Sequence, residues 1–512
     1  MILNLDMFFM STVSICRSVP LLILLFLSLT GMGQTMQVAR FEIQIEEDEK
    51  VEAGNFTTSS LGKNGLIAYR RFLGKKQDQF EMTRIDTALT TIWKGYIIID
   101  KRQDVMAVNT YGSLFFMLLK DREFLGRDFQ IIAINLDNGD YGTYSVKNII
   151  PFYPTEFVLT DHAALIGGYF NSRPLVLHYN FQSQNSRILP GFFNSPGELN
   201  QIKVNDNGTT DIIVSAKNFE KRRALWIRTY NLEGELLKTT ILQPDEDKNL
   251  IFGRSLNLPD DGQLVAGVYG RFTEYSRGIF IANIKATGDY TIQYYNFSEL
   301  DNFFSYMKAK QQKRVKERIE RKTIKGKKLK FNYRLIVHKL IDYNNQLLLV
   351  GEAFYPKYVY PRMGDPRLAF YDPQVRTNRV FDGYKYTHAV VLGFNKGGQL
   401  AWDNSFEIND VKTFQLQQFV KVQAESDRIL LMYLFENGIR TKIINNEQVL
   451  EGKTTEELSA SLRDESLDKE SYFTDQMDNW YGKYFYAYGT QTLKSRRGSS
   501  RKVFFINKIT YK

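Results

Sequence analysis

The densest concentration of chemistry in this 512-residue chain is a cationic run. Between Lys308 and Lys330 stand twelve Lys or Arg and two Glu, a net charge of +10 that equals the formal charge of the whole chain. The remainder is neutral overall, so the high isoelectric point is a local property. The candidate anion-binding residues are Lys310, Lys313, Arg314, Lys316, Arg318, Arg321, Lys322, Lys325, Lys327 and Lys328. Ammonium and guanidinium groups at this density attract anions through a field that salt screens. Partners of matching chemistry are an anionic membrane surface, an acidic polysaccharide or another protein. Nucleic acid fits the charge, but export of the chain argues against it. The run reads equally well as a solvated projection without a ligand.

A second segment supplies rings and forked donors. Nine Phe or Tyr lie between Phe354 and Tyr386, interspersed with arginines. Tyr355, Tyr358, Tyr360, Arg362, Arg367, Tyr371, Arg376, Arg379 and Tyr384 are the candidate contacts, because Tyr and Arg carry much of the energy of interfaces and aromatic faces suit sugar rings. The competing reading is a long loop that uses its aromatics to anchor itself.

Catalytic and metal chemistry is weakly signalled. His162, His178, His338 and His388 lack metal-ligand spacing, and no HExxH or GxSxG motif occurs. No metal and no cofactor is expected. Asp206-Asn207-Gly208-Thr209 resembles the core of an Asp-box turn but lacks its flanking residues and is not repeated, so it reads as a hairpin turn. Asp161, Asp261, Asp342 and Asp427 recur beside turns and read as turn chemistry. A glycosidase or lyase would need a carboxylate pair, or a base beside a charge-neutralising group, converging in space. Convergence is not visible in a sequence, and such an enzyme stays the alternative to a binding protein.

The elements that position these groups are repeats. A tight turn followed by an apolar strand begins at Gly65, Gly112, His162, Gly208, Gly262, Asn345, Arg428 and Gly482. The interval is about 50 residues, with two longer gaps, a period that signals propellers or solenoids. A strand–turn–strand signature with Asn-Gly, Asp-Gly or Gly-Gly turns trails most anchors, as hairpins require. Four antiparallel strands, A to D, repeated about eight times resemble the β-propeller repeat proteins in general, over residues 38–512. No WD, kelch or NHL signature is present, so the resemblance implies architecture and carries no site residues. The expected fold is all-β: a single propeller of about eight four-stranded blades, with helical and loop insertions on one face. The last copy lacks strand D, which a strand starting near Val38 can supply, closing the ring and removing an edge. Seven blades with a separate terminal hairpin, or two packed domains of four units, are the structural alternatives.

Three extra segments interrupt the repeats: a basic helix at 299–326, with a capping box at Ser298 and Asp301 and an apolar stripe of Met307, Val315 and Ile319; an aromatic loop at 354–387; and an acidic helical segment at 454–478, capped by Thr454 and Glu457, with a net charge of −6. They fall at D–A or B–C connections, which emerge on one face because strand direction alternates. Loops on a rigid scaffold are where binding resides. The acidic segment could dock on the basic one and neutralise it. Arg70, Arg71, Lys75, Lys76, Lys217, Lys221, Arg222, Arg223, Lys494, Arg496, Arg497 and Arg501 add positive charge at other connections of this face.

The N-terminus reads as a secretory signal over residues 1–33: Arg17, the apolar run Leu21 to Leu29, and small residues before a cut after Gly33. The run is shorter than the roughly 20 residues that span a bilayer. The single cysteine, Cys16, lies within it and is not placed as a lipid-attachment site. The mature chain, residues 34–512, is thus expected to be thiol-free and exported to a periplasmic or extracellular location.

Overall fold

The computed structural model describes residues 35–45, 55–122, 128–148, 150–191, 195–259, 262–359, 380–457, 466–467, 473–494 and 500–511. Each apolar run that follows a turn becomes strand B of a blade. Leu66–Phe72, Leu114–Asp121, Ala163–Phe170, Thr210–Lys217, Gln263–Gly270 and Ile429–Phe435 are buried on both faces, which is why they read as nearly continuous apolar stretches. Outer strands such as Leu236–Leu242 and Gln448–Glu457 are largely exposed, and the second is mostly polar. The turns need special backbone geometry. Gly65 has φ +101°, and a Cβ there would sit 2.0 Å from the carbonyl oxygen of Ile85, so only glycine fits.

The strands form eight antiparallel sheets in a ring, a β-propeller. Blades 1 to 7 occupy residues 57–99, 103–146, 153–188, 197–242, 249–296, 334–407 and 421–457, and each runs A–B–C–D in chain order. Blade 8 takes strands A to C from 473–511 and its fourth strand from the other end of the chain: Thr35–Ile45 pairs antiparallel with Ser500–Tyr511. The ring therefore closes as expected, with eight blades rather than seven. Strand A of neighbouring blades is tied around the axis by side-chain amides. Asn109 donates to the Phe157 carbonyl at 2.9 Å, Asn200 accepts from Gly253 N at 3.1 Å, and Gln201 accepts from Ser255 N at 2.8 Å.

Packing is distributed. Each interface between adjacent blades has its own apolar cluster, eight in all, so the core is a ring of small cores. At the closure between blades 8 and 1, Phe504 stacks on Phe56 at 4.3 Å and Trp480 Nε1 donates to the Gly65 carbonyl at 3.0 Å.

Two segment readings are corrected. The acidic segment does not begin as a helix: Thr454 to Glu457 continue strand D of blade 7 and pair with Gly438 to Thr441, because the blade edge offers them backbone partners. Residues 458–465 and 468–472 lie outside the described residues. The aromatic segment is a β-hairpin extension rather than a loop at its base. Strands Gln346–Val359 and Val380–Asn395 of blade 6 run on past the sheet and pair as far as Val359 and Val380. The expected signal at 1–33 also lies outside the described residues. Among the described residues no helix is long and apolar enough to cross a membrane.

Closure predicts a specific sensitivity. Phe504→Ala should cost about 3–5 kcal/mol by urea unfolding, whereas exposed Tyr96→Ala should change stability by about 0.5 kcal/mol or less. Equal effects would show that the seam does not hold the ring.

Candidate functional site

The basic insertion has two parts with different physics. Its first turn is a short 3₁₀ helix, Phe297–Glu299, closed by a capping box two residues earlier than expected: Asn296 Oδ1 accepts from Ser298 N at 3.0 Å and Glu299 accepts from Asn296 N at 2.7 Å. The chain then plunges inward. Phe297, Leu300, Phe303 and Phe304 are buried between blades 5 and 6. Asp403 pins the backbone by accepting from Asp301 N at 3.0 Å and Asn302 N at 2.8 Å, and its burial pushes its carboxyl up despite those donors. The α-helix, α1, starts only at Ala309 and ends at Thr323. The expected helix is thus shortened by ten residues at its start (309 against 299), because the adjacent Phe303 and Phe304 must both enter the core. Gly326, at φ +64°, ends the turn that follows.

Tyr306 anchors the transition. Its ring stacks on His388 with centroids 3.9 Å apart and planes 5° apart, and Phe303 meets the same imidazole edge-on at 4.8 Å. Tyr306 also shares a hydroxyl hydrogen bond with Tyr333 at 3.1 Å. Tyr333 in turn exchanges backbone bonds with Ser276 in the B–C loop of blade 5, and Arg334 pairs with Glu274 there at 2.7 Å. His388 lies on strand C of blade 6, at the root of the aromatic hairpin. The basic arm and the aromatic hairpin therefore spring from the same face and share one buried contact.

Beyond that anchor the arm is solvated. Met307, Val315 and Ile319 rest against the blade 5–6 cluster, as the stripe implied, and no α1 residue is buried. Among the described residues, Lys328 alone of the twelve cations reaches a carboxylate, that of Glu299. Other cations of this face behave differently. Arg70 pairs with buried Glu81, Arg71 with Asp78 and Asp104, Arg223 with Glu198 and Arg501 with Glu42, so these are structural ion pairs and not a free field. Lys75, Lys76, Lys217 and Lys221 are exposed. Arg496 and Arg497 lie outside the described residues.

On the hairpin, Tyr355 and Tyr358 are exposed, whereas Tyr384 packs between Phe354 and Phe381 at 5.6 and 4.9 Å. Tyr360, Arg362, Arg367, Tyr371, Arg376 and Arg379 lie outside the described residues. A cleft of roughly 580 Å³ between blades 2 and 3 opens on the same face, lined in part by Lys120, Arg122, Tyr153 and Tyr169.

The inner wall carries a group that sequence reading missed. Glu156 of blade 3 feels the charges of Arg254 of blade 5 and of Lys339 of blade 6, although these blades are not neighbours of blade 3 in the ring. Burial pushes the Glu156 carboxyl up while Arg254 and Lys339 pull it down; the net shift is upward. None of the three lies in an ion pair among the described residues, and the buried Nε of Arg254 has no hydrogen-bond partner. Glu156 and Arg254 sit on strand A of their blades, which the repeat makes readable, whereas Lys339 lies between the short strands Arg334–Val337 and Ile341–Tyr343 of blade 6. Among the described residues no cluster of three or more His, Cys, Asp or Glu is placed to hold a metal.

No protein-family model matches the chain, and no curated protein matches it. Among solved structures it is similar to the polysaccharide lyase Uly1, at 11% identity over 79% of this chain and 90% of that one, with a TM-score of 0.38. It is also similar to the β-propeller domain of the Trilobed protease from Pyrococcus furiosus, at 9% identity over 79% and 95%, TM-score 0.35, and to a protein from Lactobacillus plantarum, at 9% identity over 80% and 95%, TM-score 0.38. Scores at this level transfer no residue, substrate or partner.

The His388 anchor generates a pH prediction. Burial pushes the folded-state pKa of its imidazole down to about 3, against 6.5 for the free side chain. Below pH 6.5 the unfolded chain takes up a proton that the folded chain refuses, so stability falls with decreasing pH, by up to about 1.4 kcal/mol per unit, until about pH 3. His388→Phe keeps the ring and removes the titration. Between about pH 7 and pH 4.5 the wild type should lose about 2–3 kcal/mol more than the variant in urea unfolding. Equal losses would place the imidazole in water.

Proposed function

We propose that this propeller is a non-catalytic binding or scaffold protein that recognises a polyanionic partner through its insertion-bearing face. One observation carries the reading: a cationic arm whose charges are almost all unpaired, held on the rigid ring by a buried aromatic anchor. A helix of 15 residues is about 22 Å long, comparable to several charged groups of an extended polyanion. Unpaired surface cations keep their field for a partner, whereas Arg70 and Arg71 spend theirs on buried carboxylates. Lys316 lies near enough to Asp403 to act on its charge, and Arg321 and Lys322 at the helix C-terminus are favoured by the helix dipole.

The test must spare the anchor. Deleting 299–326 would remove Leu300, Phe303 and Phe304 from the core and confound binding with folding. Instead, Lys310, Lys313, Arg314, Arg318, Arg321 and Lys322 are replaced by Gln. The wild type should be retained on a sulfated-polysaccharide column at about 0.1 M salt and released well before about 1 M, where the screening length has fallen to about 3 Å. The variant should elute markedly earlier with unchanged thermal stability; identical elution would refute the reading.

A second reading, a carbohydrate-active enzyme, is favoured by the axial group. A carboxyl raised by burial and flanked by two cations has the make-up of an acid–base group beside charge-neutralising partners. If it acts on an acidic polysaccharide, release of reducing or unsaturated chain ends should fall about a hundredfold or more in Glu156→Gln. Absence of any such release by the wild type across acidic polysaccharides would dismiss it.

A further inference from the structure

Among the described residues, three phenylalanines are strongly exposed: Phe219 at 96%, Phe272 at 67% and Phe414 at 68%. Phe219 and Phe272 lie in the B–C loops of blades 4 and 5, and Phe414 in the D–A connection between blades 6 and 7. By strand alternation these connections all emerge on the face that bears the basic arm. At the A–B and C–D turns of the opposite face, by contrast, Tyr111 and Leu232 are only 39% and 38% exposed.

The polar surroundings of the three rings are biased. Lys217 and Lys221 flank Phe219, Arg271 precedes Phe272, and Lys412 lies near the Phe414 ring. The carboxylates beside them are neutralised: Glu220 by Arg222, Glu274 by Arg334 at 2.7 Å, and Asp382 by Lys412 at 2.9 Å and Lys357 at 3.1 Å. These three carboxylates therefore add little repulsion toward an anionic surface, while Glu246, Asp247 and Asp410 remain exposed on the connections between blades 4 and 5 and blades 6 and 7.

We propose that this face docks on an anionic lipid bilayer, with Phe219, Phe272 and Phe414 entering the interfacial layer and the cationic arm lying along the headgroups. The inference deepens the polyanion reading and rests on it. The three phenyl rings sit on three different connections, and a fluid interface accepts each such anchor independently. Cations beside them gain from the negative potential of the headgroups, and neither contribution alone gives stable attachment. A soluble polysaccharide would reward the cations and leave the rings in water.

The full chain is tested by co-sedimentation with phosphatidylcholine vesicles, with and without phosphatidylglycerol, alongside the sulfated-polysaccharide column. The variants are Phe219→Ser/Phe272→Ser/Phe414→Ser together, which touch no core cluster, and the arm Lys/Arg→Gln set. The proposal expects binding to anionic vesicles only, reduced about tenfold or more in the phenylalanine variant with column retention unchanged, and lost in the arm variant. Column retention without vesicle binding, or vesicle binding indifferent to the phenylalanines, overturns the lipid inference and leaves the polyanion reading standing. Equal binding to neutral vesicles overturns the electrostatic part. Failure to bind vesicles or column overturns both.

Discussion

The antiparallel pairing of Thr35–Ile45 with Ser500–Tyr511 constrains everything else in this molecule. A propeller blade buries its faces only against two neighbours, so a ring with an open seam leaves two apolar sheet faces and a strand edge in water. Here the seam is sealed by backbone pairing, by the Phe56–Phe504 stack and by the Trp480 indole bonded to the Gly65 carbonyl. Closure makes every blade equivalent in orientation. It is that equivalence which sends all D–A and B–C connections to one side and gives the face its meaning.

On this frame the basic arm is mounted by a division of labour along a short stretch of chain. Residues 297–306 insert Phe297, Leu300, Phe303 and Phe304 into the core, with Asp403 holding the backbone and His388 receiving Tyr306. Residues 309–323 are helical, thinly attached and charged. A charged lever on a buried hinge keeps its field in a defined direction while its tip stays free to adapt, which suits an irregular or fluid anionic partner. Burial keeps the imidazole neutral in this setting, because among the described residues no carboxylate pairs with it and its Nε2 is buried without a hydrogen-bond partner.

Charge alone does not distinguish working cations from structural ones. Arg70, Arg71, Arg223 and Arg501 sit on the same face as the arm, yet each closes an ion pair with a carboxylate of the scaffold. Burial of Glu81 and Asp78 would be prohibitive without those partners, so their arginines belong to stability. Glu156, Arg254 and Lys339 are the reverse case: Glu156 feels both cations, yet among the described residues none of the three is joined in an ion pair.

Much of the architecture was legible in the residues themselves. Turn residues with positive φ and apolar runs repeat locally, so the blade count, the swapped strand near Val38 and the shared face followed from pattern and strand alternation. The stripe of Met307, Val315 and Ile319 was legible for the same reason, since helical periodicity is local. What only the tertiary structure decided were matters of partnership. Whether 299–308 is helix or core plug depends on the cavity that blades 5 and 6 leave for Phe303 and Phe304. Whether Thr454 caps a helix or extends a strand depends on a free edge at Gly438 to Thr441. Which cations are spent, and that Glu156 feels the charges of Arg254 and Lys339, depend on the placement of segments far apart in the chain. A sequence encodes local propensity position by position, but desolvation and pairing exist only once distant residues share one place.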